Sequence, residues 1–291
     1  MSKLIALFSM LLFSVTLNAK PQQTIPPVDS AAYQHFQIQQ YDMNADEHRN
    51  YRIYIAVPHT PPPTSGYPVL YMLDGNGQFP LAVNSYHPDN GPAPLVIAIG
   101  YPTDVSYNTV PRTRDYTPPA EGEEFAQGGN AELFYQFINQ QLKPWVNQHY
   151  AVNQQKQTLA GHSFGGLFTL YTLFNHPQQF QHYVVASPSI WWGNGVVIPA
   201  RTPLLTQWPE SITITVGEYE EKPNPADASK PQNAERAKRQ AKRQQVTKAR
   251  TLAEEMKQQG AKVTFILFPE KNHGSVIPDA VRNAVMTAGK A

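Results

Sequence analysis

The sequence contains no cysteine. An exported form of this chain must therefore be held by its core and not by disulfides, and no thiol is present to carry a lipid anchor. Charge of one sign is equally scarce. Lys and Arg total 23 against 22 Asp and Glu, a net charge of +1, which gives a nucleic-acid or polyanion binder no bulk electrostatic support. Internal repeats are lacking. So is any apolar run long enough to span a bilayer, the best being "LIALFSMLLFSVTL" near the N-terminus.

That run has the layout of a secretory signal. Lys3 supplies the positive start, and "LNA" ends on a small residue at Ala19. Residues 1–19 are read as a signal peptide and 20–291 as one domain that works in a periplasm or outside the cell. With 41% apolar residues, the remainder can bury a sizeable core.

A Pro-rich leader, "PQQTIPPVDS" (21–30), is expected to be extended and exposed. "QHFQIQQYD" and "RNYRIYIAVP" alternate apolar and polar residues, the mark of strands with one wet face. "YPVLYMLDG" and "PLVIAIGY" are nearly all apolar and suit strands covered on both faces. Residues 101–129 read as a long irregular segment. A helix follows in "NAELFYQFINQQLKPWVNQHY", with Asn130 as its expected cap. Strands and helices then alternate to the end, including one long polar helix over 234–259 stopped by Gly260 and a closing helix over about 277–288. The class is α/β: a mostly parallel central sheet with helices on both faces and antiparallel strands at the N-terminal edge.

In "LAGHSFGGLFTLYTLF", Gly161-His162-Ser163-Phe164-Gly165 matches the nucleophile elbow G-x-S-x-G, set between a strand and a helix as that turn demands. Glycines on either side of a tight turn avoid collisions that side chains would make, and Gly166 lets the helix approach the sheet. The elbow also aims the amide of Phe164 at the position of an oxyanion. A serine hydroxyl needs a base. In sheets that carry this elbow the chain order is serine, acid, histidine. His273, in the loop after the last strand, is the candidate base. His162 is expected to be turned away, and His176 and His182 to be structural. Three glutamates follow the strand "SITITVG". Spacing from Gly217 points to Glu220, with Glu218 next and Glu221 third, and a serine–histidine dyad without an acid stays open. A second oxyanion donor is expected from the amide of Asn76 or Gly75 in "LYMLDGNGQF", where Gly75 would make the turn.

"LYMLDGN", "AIGY", "RTRDYTP", "GHSFGG", "SPSIWW" and "FPEKNHGS", in that order, resemble the putative-esterase branch of the α/β-hydrolase superfamily. Within it, the chain is most similar to periplasmic esterases that open enterobactin-type and salmochelin-type siderophore trilactones. The resemblance implies the α/β-hydrolase fold, ester hydrolysis through Ser163 and His273, and no metal or organic cofactor. It also implies a small-molecule ester substrate, ferric or iron-free. By the R-x-x-D-Y-T-P spacing, Arg112 would contact substrate. The alternative is that Arg112 or Arg114 pairs with Asp115 to order its loop. Trp191 could stack on catechol rings, or the Trp191–Trp192 pair could simply pack the core. The basic helix after residue 234 could attract an anionic siderophore or lipid, or be a solvated face. Other readings of the same site are a general carboxylesterase or acyltransferase, and a siderophore-binding protein without turnover.

Overall fold

The computed structural model describes residues 23–224 and 234–291. The expected signal segment and residues 225–233 of the polar insertion lie outside the described residues.

Eight strands form one sheet. In chain order they are β1 (Phe36–Asn44), β2 (Asn50–Pro58), β3 (Tyr67–Met72), β4 (Leu95–Gly100), β5 (Val152–His162), β6 (His182–Ala186), β7 (Ser211–Gly217) and β8 (Val263–Phe268). Across the sheet the order is β1-β2-β4-β3-β5-β6-β7-β8. The pairs β1–β2 and β2–β4 are antiparallel; every other pair is parallel. This is the α/β-hydrolase arrangement read from the sequence. The chain leaves β3 for β4 on one side and returns to β5 on the other, so the strand order reverses between β3 and β5. Open α/β sheets place ligands in the crevice at that reversal, beyond the carboxyl ends of the strands.

Period-two alternation splits the core. Val69 and Tyr71 of β3 join a cluster with Ile53, Ile97 and Leu159 on one face. Leu70 and Met72 join Val96, Ala98 and Ala160 on the other. Both faces are covered, as the continuous apolar runs require.

The helices are α1 (Gly75–Ser85), α2 (Thr109–Tyr116), α3 (Ala131–Phe137), α4 (Lys143–His149), α5 (Phe164–Asn175), α6 (Ala234–Arg243), α7 (Gln245–Gln258) and α8 (Ile277–Lys290). A π turn at Ile138–Leu142 joins α3 to α4, next to Pro144, which has no N–H for an α-helical ladder. Three expectations change. Residues 101–129 are not irregular throughout, because α2 forms there, with Pro111 in its first turn where no intrahelical N–H is needed. The long polar helix is two helices, broken at Gln244, which has φ 50°. Asn130 begins α3 without a side-chain cap; its backbone N–H donates to Arg114 O instead. From Gln23 on, the leader lacks helix or strand, as expected, and hydrogen bonds hold it to the domain: Gln23 O accepts from Ser106 N, Thr24 O from Ser106 Oγ, and Asn84 bonds both Pro27 O and Asp29 N.

Candidate active site

β5 ends at His162 and α5 begins at Phe164, leaving Ser163 alone in the turn with φ 62° and ψ −116°. Such backbone strain in a non-glycine residue persists only where neighbours hold it. Here Ser163 N–H donates to Ala186 O at 3.0 Å, and Ser163 O accepts from Leu167 N at 2.9 Å and Ser189 N at 3.1 Å. The flanking glycines are not equivalent. A Cβ on Gly161 would sit 2.4 Å from the Gly165 carbonyl, and one on Gly166 would sit 2.6 Å from Ala186 O. A Cβ on Gly165 would meet nothing closer than Leu73, at 3.4 Å. Glycine is therefore sterically required at 161 and 166 but not at 165. Gly161→Ala is expected to cost about 2–4 kcal/mol of unfolding free energy, because backbone must move. Gly165→Ala should change stability by less than about 1 kcal/mol. Denaturant titration of the two variants checks the contrast.

The histidine reaches this serine through a second close approach. After β8, Asn272 Oδ1 accepts from Gly274 N and Ser275 N at 3.0 Å, a tight turn that presents His273. Lys271 O accepts from Tyr219 N at 2.8 Å, tying that loop to the end of β7. A Cβ on Gly217 would lie 2.3 Å from Lys271 O, so glycine there permits the contact. His273 Nε2 then lies 2.9 Å from Ser163 Oγ, and His273 Nδ1 lies 2.7 Å from Glu220 Oε2. Glu220 is 3% exposed. Its other oxygen accepts from Ser187 Oγ at 2.6 Å and from Gly217 N at 2.7 Å. A carboxylate accepts only, so the imidazole proton belongs on Nδ1 and Nε2 is left to accept from the serine hydroxyl.

The other glutamates are occupied elsewhere. Glu218 Oε2 accepts from Glu270 N, and Glu221 accepts from both the N–H and the hydroxyl of Thr247 in the first turn of α7. His176 pairs with Glu132 and stacks on Tyr135, and His182 bonds Ser211. His162 makes no hydrogen bond to Ser163 and does not line the cavity onto which Ser163 opens, yet its buried ring lies 4.6 Å from the ring of His273, and its Nε2 has no hydrogen-bond partner among the described residues. Burial, then the nearby charges of His273 and Arg112, push its pKa well below the usual imidazole range.

The turn after β3 is made by Asp74, with φ 53°, and not by Gly75. Gly75 serves close approach: a Cβ there would lie 3.0 Å from Gly100 N and Ile99 C. Asn76 Oδ1 accepts from Tyr101 N at 2.8 Å, and its Nδ2 donates to Tyr101 O. Its side chain is thus used up in fixing the loop. The backbone N–H groups of Gly75 and Asn76 open α1, and that of Phe164 opens α5, positions whose N–H groups a helix leaves unused. Leu73 and Asp74 lie against Gly165, bringing the two helix starts together.

Arg112 does not pair with Asp115. It grips Asp74 with two 2.8 Å bonds, and it is not among the described residues that line the cavity below. Asp115 instead takes Arg114 and the hydroxyls of Tyr51 and Tyr101, while Tyr116 Oη accepts from Asp74 N. "RTRDYTP" is therefore a buried polar brace for the 73–76 turn. The guanidinium of Arg112 also lies 5.5 Å from the centre of the Phe164 ring, next to the elbow.

Ser163 and His273 open onto a cavity of about 560 Å³. The tryptophan pair divides. Trp191 lines the cavity, while Trp192 is buried and donates its indole N–H to Pro118 O. Arg236, Arg239 and Arg243 of α6 line it too. Sequence reasoning assigned no role to Ser187 or to these arginines as cavity residues. The i, i+3, i+7 spacing of the arginines was the available signal, since it puts them on one helical face.

Residues 45–262 match the family model described as "Putative esterase". The chain is 32% identical over 267 residues to the ferri-bacillibactin esterase BesA of Bacillus subtilis, covering 84% of this chain and 86% of that protein. It is 33% identical over 182 residues to the apo-salmochelin esterase of Escherichia coli, covering 59% of this chain and 57% of that one. Among solved structures, the siderophore hydrolase EstA from Aspergillus nidulans superimposes with a TM-score of 0.77 at 26% identity, covering 91% of this chain and 97% of that one. With its sheet order and its elbow, the chain belongs to the putative-esterase family of the α/β-hydrolase fold and is an ester-bond hydrolase.

Proposed function

We propose that this protein is a serine esterase that opens catecholate siderophore trilactones through an acyl-enzyme at Ser163. The observation that carries the proposal is the continuous hydrogen-bonded chain Ser163–His273–Glu220 at the mouth of a cavity. Ser163 Oγ attacks the ester carbonyl carbon while His273 Nε2 takes the hydroxyl proton. Glu220 holds the imidazole and stabilises the imidazolium. The oxyanion is met by the N–H of Phe164 and by that of Asn76 or Gly75. Collapse expels the alkoxide, which leaves as an alcohol with the proton from His273. Water, deprotonated by the same nitrogen, then releases the acid and restores Ser163.

The siderophore assignment rests on the named activities of the relatives, on Trp191 as an aromatic wall, and on a cavity of about 560 Å³. A protein that only binds siderophore has no use for a preassembled proton relay, which speaks against the non-catalytic reading. No helix among the described residues is long and apolar enough to cross a membrane. The N-terminal signal pattern of the sequence supports a periplasmic or secreted enzyme.

The test incubates the protein with ferric and iron-free enterobactin-type lactones beside simple aryl esters, and identifies products by mass. A fluorophosphonate is expected to modify the peptide containing Ser163, and the lactones to open stepwise to linear forms. Cleavage of aryl esters with both lactones left intact would overturn the substrate assignment, and a fluorophosphonate adduct elsewhere would overturn the nucleophile.

A further inference from the structure

Helix α6 buries none of its residues, so apolar packing does not explain where it sits. Two contacts place it. The Arg243 guanidinium lies 4.0 Å from the centre of the Trp191 ring, and just past the break at Gln244 the Gln245 side-chain amide donates to Pro188 O. The helix face so oriented carries Arg236, Arg239 and Arg243 into the cavity that holds Ser163. All three remain exposed, so they line that cavity from its solvent side. Away from that face, Lys238 is paired with Glu235.

The balance of charge in the cavity is one-sided. Among the described residues that line it, Glu220 is the one carboxylate, and its oxygens are taken by His273, Ser187 and Gly217. No carboxylate lies within ion-pair distance of Arg236, Arg239 or Arg243 among the described residues. Partial desolvation and the neighbouring Arg239 lower the pKa of Arg243, as for a cation whose charge is not offset. Three guanidiniums at one wall, with a stacked indole beside them, make a site for a multiply charged, aromatic anion.

That description separates two forms of one substrate. In an iron-free tricatecholate lactone the catechol hydroxyls are protonated near neutral pH, and the molecule is close to uncharged. Iron(III) displaces those protons, and the complex becomes a trianion. Resting on the esterase reading above, we propose that Arg236, Arg239 and Arg243 form a subsite that selects the iron-loaded tricatecholate over the iron-free lactone. The arginines touch the metal-bound catecholate oxygens, and Trp191 stacks against a ring. The ester to be cut is thereby held over Ser163.

The test measures binding, so it does not depend on turnover. The Ser163→Ala protein is titrated with ferric enterobactin, its gallium(III) analogue and the iron-free lactone, using quenching of tryptophan fluorescence. The same is done after adding Arg236→Gln, Arg239→Gln and Arg243→Gln together, and after the three Arg→Lys changes. The Gln set is expected to raise Kd for both metal complexes by roughly 100-fold and for the iron-free lactone by less than about threefold. The Lys set should recover most of the difference, and rising salt should weaken only the metal complexes. Thermal melts show whether each variant is folded. Equal losses for metal-loaded and iron-free ligands, or no loss for either, would overturn the subsite. If the wild-type protein opens no lactone yet shows this arginine-dependent binding, the substrate assignment falls and the subsite stands.

Discussion

Ser163→Ala is expected to lower kcat on an aryl ester by roughly 10⁴- to 10⁶-fold while KM stays within a few-fold, as for residues that act only in the transition state. His273→Ala should fall into the same range. The two losses should not multiply: in the double variant, kcat is expected to be no lower than in the worse single one, because a nucleophile without its base and a base without its nucleophile are equally idle. Steady-state kinetics on the three proteins checks this. The geometry also names the competitor. Ser189 Oγ lies 3.5 Å from Ser163 Oγ in the same cavity, so residual activity in Ser163→Ala could pass through it. Ser189→Ala on that background separates the cases. A Ser163→Ala protein that keeps more than about a hundredth of its activity, and loses it with Ser189→Ala, would move the nucleophile to Ser189.

What was legible in the sequence was whatever depends on short-range pattern. Alternation in "RNYRIYIAVP" and continuous apolarity in "YPVLYM" gave a strand near the sheet edge and a central strand, because burial on one or both faces writes directly into residue order. The elbow was legible for the same reason: a turn that brings position 161 against the Gly165 backbone admits no side chain at 161. Glu220 followed from its distance along the chain from Gly217, though spacing alone left Glu218 and Glu221 open. Less local facts were hidden. That Arg112 grips Asp74, 38 positions earlier, depends on α2 folding back over the end of β3. That α6 faces the serine depends on a break at Gln244 that nothing in "KRQQVTK" announces. Ser187 was hidden because its role exists only where the end of β6 lies beside the end of β7.

Glu220→Gln carries the second large effect, and the surrounding donors fix its sign. One carboxylate oxygen accepts from the Gly217 N–H at 2.7 Å, a donor that cannot rotate, and from the Ser187 hydroxyl; the other faces His273 Nδ1. In the glutamine variant, the amide oxygen must take the place opposite the Gly217 N–H, since an NH₂ group there would set donor against donor. The amide nitrogen is then aimed at His273 Nδ1 and donates to it. That forces the imidazole proton onto Nε2, where it faces Ser163 Oγ and blocks the transfer on which attack depends. The expected loss in kcat is about 10³- to 10⁴-fold, with KM little changed. Glu218→Gln should stay within a few-fold of wild type, because its carboxylate bonds Glu270 N on the surface. Glu221→Gln should mainly loosen the first turn of α7, by about 1 kcal/mol at most, since what it supplies is a cap to Thr247. Kinetics and melting curves on the three variants give a clear ranking. Should Glu220→Gln remain within tenfold of wild type, the carboxylate would be a structural tie between β6, β7 and the His273 loop, and the reaction would run on the serine–histidine pair alone.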